Sequence, residues 1–256
     1  MMQRRIALTA LLVAASFCLP ALAQPAFPSK PIRLIVPFGA GGVADITART
    51  VAQKMGENMG QSIVIENRPG AGGIAAGEAV ARAEPDGHTL LLMSNGTAVS
   101  AGLFKNMPFD ARKDFAPVSL LAEFDLAVIV PENSRFRNFG EFISYVRANP
   151  GKLNLGTINI GSTQHLAAEL LRNQGNLIAQ VVPYNGTPAV INALRGGQID
   201  AAVEILGPVK PQIQAKALRA LAVMGSSLPA DLSGTVLVSS QPGLSSFNVA
   251  SWNALA

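Results

Sequence analysis

Short apolar runs alternate with segments of helical periodicity from Pro31 onward, and this alternation constrains the fold more than any other feature. The run at residues 32–36, for example, is bounded by prolines, which predicts a short buried strand. Eight strands are predicted: residues 32–36, 62–66, 89–93, 126–130, 153–157, 179–182, 201–203 and 219–223. Strands that alternate with helices predict parallel sheets with crossover helices, which is an α/β fold.

The predicted helices lie between these strands and have apolar residues on one face. In the clearest case, apolar residues recur at i, i+3, i+4 and i+7: Phe139, Phe142, Ile143 and Val146. Thr187 followed by Pro188 indicates a helix start, because threonine caps exposed amides and proline suits the first helical position. The predicted helices are residues 44–59, 74 to about 83, 139 to about 148, 163–173 and 187–195.

Two groups of strand–helix units predict two lobes. Residues 105–117 mix proline, charged and apolar residues with little periodicity, which predicts an irregular crossing between the groups. We expect a first lobe at residues 24–121, a second lobe at 122–223 and a return of residues 224–256 to the first lobe. The strand at residues 219–223 is itself expected to run back to the first lobe.

The first 23 residues have the three-part pattern of a secretory signal peptide. Arg4 and Arg5 form a positive start, residues 6–19 are almost wholly apolar, and residues 21–23 supply small residues for a signal peptidase. A membrane anchor is the alternative, but the apolar run falls short of the roughly 20 residues that span a bilayer. We therefore expect cleavage after Ala23, export, and no stable membrane insertion of the mature chain.

Composition limits the sites that the mature chain can have. Cys18 is the only cysteine and lies in the predicted signal, so we expect no disulfide, thiolate nucleophile or cysteine metal site. The formal net charge of +4 falls to +2 without Arg4 and Arg5, which is too small to indicate nucleic-acid binding. With 49% hydrophobic and 14% charged residues, the chain is globular rather than disordered.

Ligands of open parallel sheets bind beyond the carboxyl ends of the strands, and three loops have this position. The first loop spans residues 37–45, and its candidate ligand-binding residues are Phe38, Gly39, Ala40, Gly41, Gly42 and Asp45. Glycines let the backbone approach a ligand closely, and a helix start carries partial positive charge and unpaired N–H groups. The loop therefore predicts an anion site that needs no arginine. A tight turn with Asp45 as a helix cap explains the same residues equally well.

The second and third loops also lie between a predicted strand and a predicted helix. The candidate residues of the second loop are Gly161, Ser162, Thr163 and His165. Its hydroxyl groups and backbone amides suit an anion, although an ordinary Ser/Thr helix cap is the alternative. The third loop contributes Tyr184 and Gly186, where Tyr184 supplies a flat surface and a hydroxyl group or, alternatively, packs in the core.

Motifs of common enzyme classes are missing from the sequence. Ala44 stands where a dinucleotide-binding loop needs its third glycine, and there is no phosphate-binding GxxxxGK[ST] or nucleophile-elbow GxSxG motif. Two histidines, His88 and His165, leave little for a metal site or a catalytic triad. We therefore predict a binding protein with no catalytic residue, no metal and no cofactor.

Six motifs along the chain resemble those of one family of transport proteins. They are residues 37–42 with Asp45, residues 66–73, residues 85–90, residues 182–184 with Gly186, residues 196–200 and residues 218–223. Together they resemble the Bug family, the extracytoplasmic substrate-binding proteins of tripartite tricarboxylate transporters. The motifs spread from Pro31 to about Trp252, so the resemblance covers almost all of the predicted mature chain.

The resemblance implies a two-lobed periplasmic-binding-protein (Venus flytrap) fold that closes on a ligand, each lobe being a mostly parallel sheet flanked by helices. It implies ligands that are mostly carboxylates, namely dicarboxylates, tricarboxylates, amino acids or aromatic acids. Backbone amides of two facing loops, here residues 38–45 and 161–165, are expected to hold a carboxylate, often through ordered waters. The expected partners are this small carboxylate and a membrane permease, and the expected location is the periplasm. A periplasmic sensor and a non-functional truncated receptor are alternatives.

The chain also departs from the family pattern. Glu204 stands near the expected cleft where an aspartate is common, and it completes the set of candidate ligand-binding residues. The second loop usually has an extra glycine and serine upstream, so residues 156–161 predict an unusual ligand choice, and residues 225–241 match poorly. Family members normally continue for several tens of residues after Trp252, so the first lobe is expected to be incomplete at its C-terminus.

Overall fold

The computed structural model describes residues 26–256, and the predicted signal peptide with its cleavage site lies outside these residues. The strands are β1 (Ile32–Val36), β2 (Ile63–Asn67), β3 (Thr89–Ser94), β4 (Ser119–Pro131), β5 (Asn154–Ile158), β6 (Gln180–Tyr184), β7 (Ala201–Ile205), β8 (Leu218–Val223), β9 (Val236–Leu237) and β10 (Ala250–Leu255). The α-helices are α1 (Val43–Met59), α2 (Ile74–Ala81), α3 (Asn95–Leu103), α4 (Phe139–Ala148), α5 (Thr163–Gln174), α6 (Thr187–Arg195) and α7 (Leu206–Gln214). The predicted α/β alternation is therefore confirmed.

These strands form one mixed sheet with the order β2-β1-β3-β10-β4-β7-β5-β6, while β8 pairs with β4 and with β9. Pairing is parallel between β1 and its neighbours β2 and β3, and between β5 and its neighbours β6 and β7. Strands β4 and β10 run antiparallel to their neighbours. The carboxyl ends of the parallel strands β1, β3, β5, β6 and β7 all lead directly into helices.

Strand β4 belongs to two sets of strands. Its residues 119–125 pair with β10, which also pairs with β3, whereas its residues from Leu126 onward pair with β7 and β8. The N-terminal strand group comprises β1, β2, β3, β10 and the first half of β4. The C-terminal strand group comprises the second half of β4 and β5 to β9. The predicted lobe boundaries, at residues 24–121, 122–223 and 224–256, remain a prediction. The partner strand of β4 changes between Asp125 and Leu126.

The prediction that residues 219–223 run back to the first lobe is wrong. This strand, β8, pairs with residues 127–131 of β4 and with β9, so it lies in the C-terminal strand group. Strand β10 is the one that reaches the N-terminal strand group, where it pairs with β3. The error has a physical reason, since an apolar run favours a strand but contains nothing that selects the partner strand.

Residues 105–117 have no regular structure, as predicted, but they are not the crossing between the groups. Phe109 and Phe115 from this segment pack with Ile35 and Leu91 on one face of the N-terminal strand group. Leu34 points to the opposite face and packs with residues of α1. The crossing lies instead within β4, where the partner strand changes.

The predicted amphipathic helix is confirmed as α4. Phe139, Phe142, Ile143 and Val146 are all buried, and they join the largest apolar cluster, which also includes side chains of α5, β5 and β7. Asn138 begins the helix, because its side chain accepts a hydrogen bond from the Glu141 amide at 2.9 Å. This packing fixes the C-terminal strand group, and with it the starts of α5, α6 and α7.

In residues 26–256, no helix combines the length and the apolar character that a bilayer crossing requires. Over the same range, His, Cys, Asp and Glu side chains nowhere form a group of three or more that could hold a metal ion.

Candidate ligand-binding cleft

Five helices, α1, α3, α5, α6 and α7, begin at one cleft between the two strand groups. Each of them follows the carboxyl end of a strand, which is where ligands of parallel sheets bind. The residues that immediately precede α1, α3, α6 and α7 all line the cleft, as does the first residue of α5. The lining residues are Phe38, Gly39, Gly42, Val43, Ala44, Ser94, Ile158, Thr163, Gln164, Gly186, Thr187, Ile205, Ser251 and Asn253.

None of these described lining residues has a charged side chain. The polar side chains are hydroxyl groups and amides, and the apolar ones include Phe38 and Ile158. Each helix start adds unpaired backbone N–H groups and a partial positive charge of roughly half an elementary charge. The cleft therefore favours an anion through backbone dipoles and hydrogen-bond donors, without an ion pair to a lysine or arginine.

A second, glycine-rich cavity adjoins the cleft and shares Phe38 and Ser94 with it. Its other lining residues are Pro37, Gly70, Gly72, Gly73, Gly96, Thr97, Asn159, Ile160, Gly161 and Ser162. The buried oxygen atom Asn159 Oδ1 has no hydrogen-bond partner in the described part of the chain. Buried polar atoms normally have a partner, so this oxygen suits a donor group on a ligand or a water.

Asp45 holds the loop between β1 and α1 in place rather than lining the cleft. Its Oδ2 accepts hydrogen bonds from the Gly41 amide and from Arg49 Nε, both at 3.0 Å. Its Oδ1 accepts one from Asn67 Nδ2 at 3.0 Å and forms an ion pair with Arg49 Nη2 at 2.9 Å. Burial opposes ionisation of Asp45, but the hydrogen bonds from Arg49, Gly41 and Asn67 outweigh it and lower the pKa. We interpret Asp45 as a positioning residue.

The rest of the first predicted loop divides into lining and supporting residues. Phe38, Gly39 and Gly42 line the cleft, whereas Ala40 and Gly41 lie in the loop away from the lining. Gly41 has a φ of +80°, a conformation that favours glycine and turns the chain toward the start of α1. Gly39 contacts the loop between β6 and α6, since a β-carbon there would lie 2.4 Å from the Asn185 carbonyl oxygen.

Contacts join the two strand groups across the cleft. The Gly72 amide donates a hydrogen bond of 2.9 Å to the Ile160 carbonyl oxygen. Ser251 Oγ donates one of 3.1 Å to Thr163 Oγ1, which ties β10 to the start of α5. The cleft loops of the two groups therefore touch each other directly in this structure.

The second predicted loop contributes to both cavities. Thr163 lines the cleft, and Gly161 and Ser162 line the adjoining cavity. Ser162 also caps α5, because its Oγ accepts a hydrogen bond from the His165 amide at 3.1 Å. The His165 ring does not line either cavity; its Nδ1 is buried with no partner among the described residues, and burial lowers its pKa.

The third predicted loop places Gly186 in the lining and Tyr184 outside it. Tyr184 packs against the apolar cluster around Val190 and Leu194, as the core alternative predicts. Glu204 lies just behind the lining and is fully buried. Its Oε2 accepts hydrogen bonds from Gln164 Nε2 at 3.3 Å, Thr187 Oγ1 at 3.1 Å and its neighbour's backbone amide at 3.3 Å.

Several lining residues were not among the candidates. Ser94 lies at the end of β3 and directly precedes α3, but the sequence pattern predicted no helix at residues 95–103, so the rule that selected the other loops passed it over. Ser251 and Asn253 lie on β10 and enter the site only through pairing that is distant in the chain. The Asn95 side chain fixes that pairing by accepting a hydrogen bond from the Trp252 amide at 3.0 Å. No local sequence signal indicates this contact.

The family model described as tripartite tricarboxylate transporter family receptor matches residues 47–256 of the chain. A relative from Pseudomonas sp., the UPF0065 protein in the tcbD-tcbE intergenic region, is 37% identical over 227 residues, which cover 89% of this chain and 68% of the relative. The protein BugT of Bordetella pertussis is 32% identical over 228 residues, which cover 88% of this chain and 70% of BugT.

Solved structures show the same fold. MatC from Rhodopseudomonas palustris with bound malate superposes with a TM-score of 0.83 at 31% identity, over 90% of this chain and 78% of MatC. Another R. palustris protein, solved with adipate, superposes with a TM-score of 0.84 at 30% identity, over 90% of this chain and 77% of that protein. The chain therefore has the α/β periplasmic-binding-protein fold, with a mixed sheet and flanking helices.

Proposed function

The chain belongs to the tripartite tricarboxylate transporter receptor family, and we propose that it captures a small carboxylate and delivers it to the membrane permease of such a transporter. The family that the sequence motifs resemble is thereby confirmed. Members of this family are solute receptors, so the prediction that the chain is not an enzyme is confirmed as well.

One observation carries the proposal: five helices begin at a cleft whose lining has no charged side chain. Backbone amides and helix dipoles attract an anion without fixing its exact shape. A carboxylate suits these donors because its two oxygens accept several hydrogen bonds at once. The hydroxyl proton of Thr163 and the second N–H of the Gln164 and Asn253 side-chain amides supply further donors at the lining.

The ligands of structural relatives support a carboxylate. MatC was solved with malate and the second R. palustris protein with adipate, and both are dicarboxylates. Phe38, Val43 and Ile158 give this cleft apolar walls that suit a short carbon chain between two carboxylates. We therefore propose a dicarboxylate of this size as the first class of ligand to test.

The proposal includes closure of the cleft around the ligand in the periplasm. The contacts from Gly72 to Ile160 and from Ser251 to Thr163 then belong to the closed form, which the permease recognises. A ligand that contacts both strand groups stabilises this form because it binds the closed state more tightly than the open state.

Thermal unfolding tests the proposal. The full chain is expressed in a bacterium and purified from the periplasmic fraction, and the N-terminus of the product shows whether cleavage follows Ala23. Malate, adipate and a panel of other small carboxylates are then added, with malamide and adipamide as neutral controls. At a concentration of about 100 times Kd, a true ligand stabilises the fold by about 2.7 kcal/mol, which raises Tm by roughly 5–10 °C. No shift with any acid, or an equal shift with the diamides, would contradict the proposal.

A further inference from the structure

We propose that Glu204 is a specificity-determining residue that couples the binding of an anion in the cleft to the uptake of one proton from solvent by the Glu204 side chain. This inference rests on the proposed function, because it concerns the ligand of the same cleft. Glu204 does not touch the lining surface itself, and it acts through the residues that do.

The first argument is the position of the carboxyl group directly behind the cleft wall. Gln164, Thr187 and Ile205 each donate a hydrogen bond to Glu204 Oε2, and all three line the cleft. The side chain is therefore one residue removed from a bound anion. The second oxygen, Oε1, is buried and has no hydrogen-bond partner among residues 26–256, so no neighbouring donor competes with a proton on it.

The second argument is the missing countercharge. Glu204 forms no ion pair within the described residues, although it is fully buried. The elements packed around it are β4, β5, α5, α6, α7 and the end of β6. Their ionisable residues are Glu123, Asp125, His165, Glu169, Arg172, Tyr184, Arg195 and Lys210, and Asp200 directly precedes the strand of Glu204. Asp200 is paired with Arg135, and Glu169 is paired with Arg172. Lys210 is already paired with Asp231 at 2.8 Å, and Arg195 is exposed at the far end of α6.

Two buried negative charges in one uncharged site repel each other strongly, because the local dielectric constant is low. An ionised Glu204 and a ligand carboxylate at the lining have this arrangement. Protonation of Glu204 removes the repulsion, so anion binding raises its pKa further. Burial already raises the pKa of Glu204 to about 7 in the ligand-free protein, despite the opposing hydrogen bonds from Gln164, Thr187 and Ile205.

The proton balance follows directly. Below pH 7 Glu204 is already protonated, and binding takes up no proton. Above pH 7 the free protein has an ionised Glu204, and each anion that binds is accompanied by one proton from solvent. The affinity for the anion therefore falls as pH rises above 7, at a limit of about tenfold per pH unit for one coupled proton. Above pH 7 both carboxyl groups of malate and of adipate are almost wholly ionised, so the ligand itself contributes little to the uptake.

Titration calorimetry with malate and adipate at pH 6 and pH 8 measures this coupling in the wild-type protein. At each pH the titration is repeated in buffers of different ionisation enthalpy, because the variation in measured heat gives the number of protons taken up. We expect close to zero protons at pH 6 and up to one at pH 8, with weaker binding at pH 8. This measurement needs no variant.

Three variants assign the proton to its residue. Glu204→Gln keeps the size of the side chain but cannot ionise, so it should bind without proton uptake and with equal affinity at both pH values. Glu169→Gln makes the same chemical change at a partly exposed carboxyl group of α5, which is paired with Arg172, and it should keep the uptake. His165→Gln removes the histidine of α5, the helix that also supplies Gln164, and it should also keep the uptake.

The outcomes are distinct. Binding without proton uptake at pH 8, or uptake that persists in Glu204→Gln, would overturn this inference and leave the proposed function in place. Uptake that disappears in His165→Gln but not in Glu204→Gln would assign the proton to the histidine and also overturn it. If none of the carboxylates binds at either pH, the proposed function fails and this inference fails with it.

Discussion

Gly96 at the start of α3 faces Gly161 so closely that a β-carbon on Gly96 would lie 2.4 Å from the Gly161 carbonyl oxygen. The two residues belong to different strand groups, and both line the cavity that adjoins the cleft. Their contact is therefore one of those that bring the cleft loops together, and it depends on the lack of a side chain at position 96.

Gly96→Ala should weaken carboxylate binding, because the added methyl group keeps the loops apart. We expect a loss of at least tenfold in affinity, about 1.4 kcal/mol, with cooperative unfolding preserved. Titration calorimetry measures the affinity. Gly102→Ala is the matched control in the same helix, since its β-carbon would have no atom within 4 Å, and its affinity should equal that of the wild type. Equal affinities for the two variants would show that the contact is irrelevant to closure.

Gly42→Pro should abolish binding, whereas Gly42→Ala should bind nearly as well as the wild type. Gly42 lines the cleft at the start of α1 with a φ of −85°, close to the angle that proline requires. Proline removes the backbone N–H, while alanine keeps it and adds a methyl group in ordinary contact distance of Thr187. Thermal shift with malate and adipate compares the two variants. Equal shifts would contradict recognition through the backbone amide.

Gly161→Pro is a poorer test of recognition than Gly42→Pro. Gly161 has a φ of +84°, which proline cannot adopt, so the substitution would distort the loop between β5 and α5. Loss of binding in that variant would not distinguish a missing amide from a misplaced loop.

Asp45→Asn should lower both stability and affinity, because the variant loses the ion pair with Arg49 and presents an NH₂ group to donors. We expect a loss of about 1–3 kcal/mol of unfolding free energy, as for other charge-assisted hydrogen bonds of buried groups. The folded pKa is depressed, so this stabilisation is present above the unfolded value of 3.8 and is lost as pH falls below it. Denaturant unfolding at pH 7 and pH 3 measures the loss of unfolding free energy and its dependence on pH, and thermal shift with malate and adipate measures the loss of affinity. Glu57→Gln, at an exposed carboxyl group of the same helix, is the control and should change stability little.

Glu204→Gln should stabilise the ligand-free protein at pH 8 more than at pH 5. The folded pKa of about 7 lies above the ordinary value of 4.5, so the ionisable side chain loses stability as pH rises between these values. The full difference corresponds to about 3 kcal/mol. Melting temperatures of the variant and the wild type at both pH values measure it. A constant difference between the two proteins would mean that Glu204 does not titrate in this range.

Most of the regular elements were predictable because local periodicity determines them. Helix α4 follows from four apolar residues at helical spacing, and β1 follows from an apolar run between prolines. Helix α7 was missed, since Pro208 and Pro211 argue against a helix although Pro208 lies in its first turn. The first half of β4 and all of β10 were also missed, because each is stabilised by pairing with the other rather than by its own pattern.

The cleft was partly predictable, because three of its loops connect a predicted strand to a predicted helix. The rule that places ligands at strand–helix loops selected Phe38, Gly39, Gly42, Thr163 and Gly186, and all five line the cleft. The same rule cannot separate a lining residue from a supporting one. Asp45 and Tyr184 lie in these loops but contact Arg49 and the apolar core, and only the three-dimensional packing reveals this.

The double pairing of β4 gives the cleft a mechanical property. One uninterrupted strand belongs to both halves of the sheet, and its partner strand changes between Asp125 and Leu126. Because the two halves share this continuous strand, opening the cleft changes the backbone torsion angles of the strand where its partner changes. The stiffness of the backbone around these two residues enters the free energy of closure directly. Substitutions there can change ligand affinity without touching the ligand, and laboratory selection for tighter or weaker receptors can act at a point remote from the pocket.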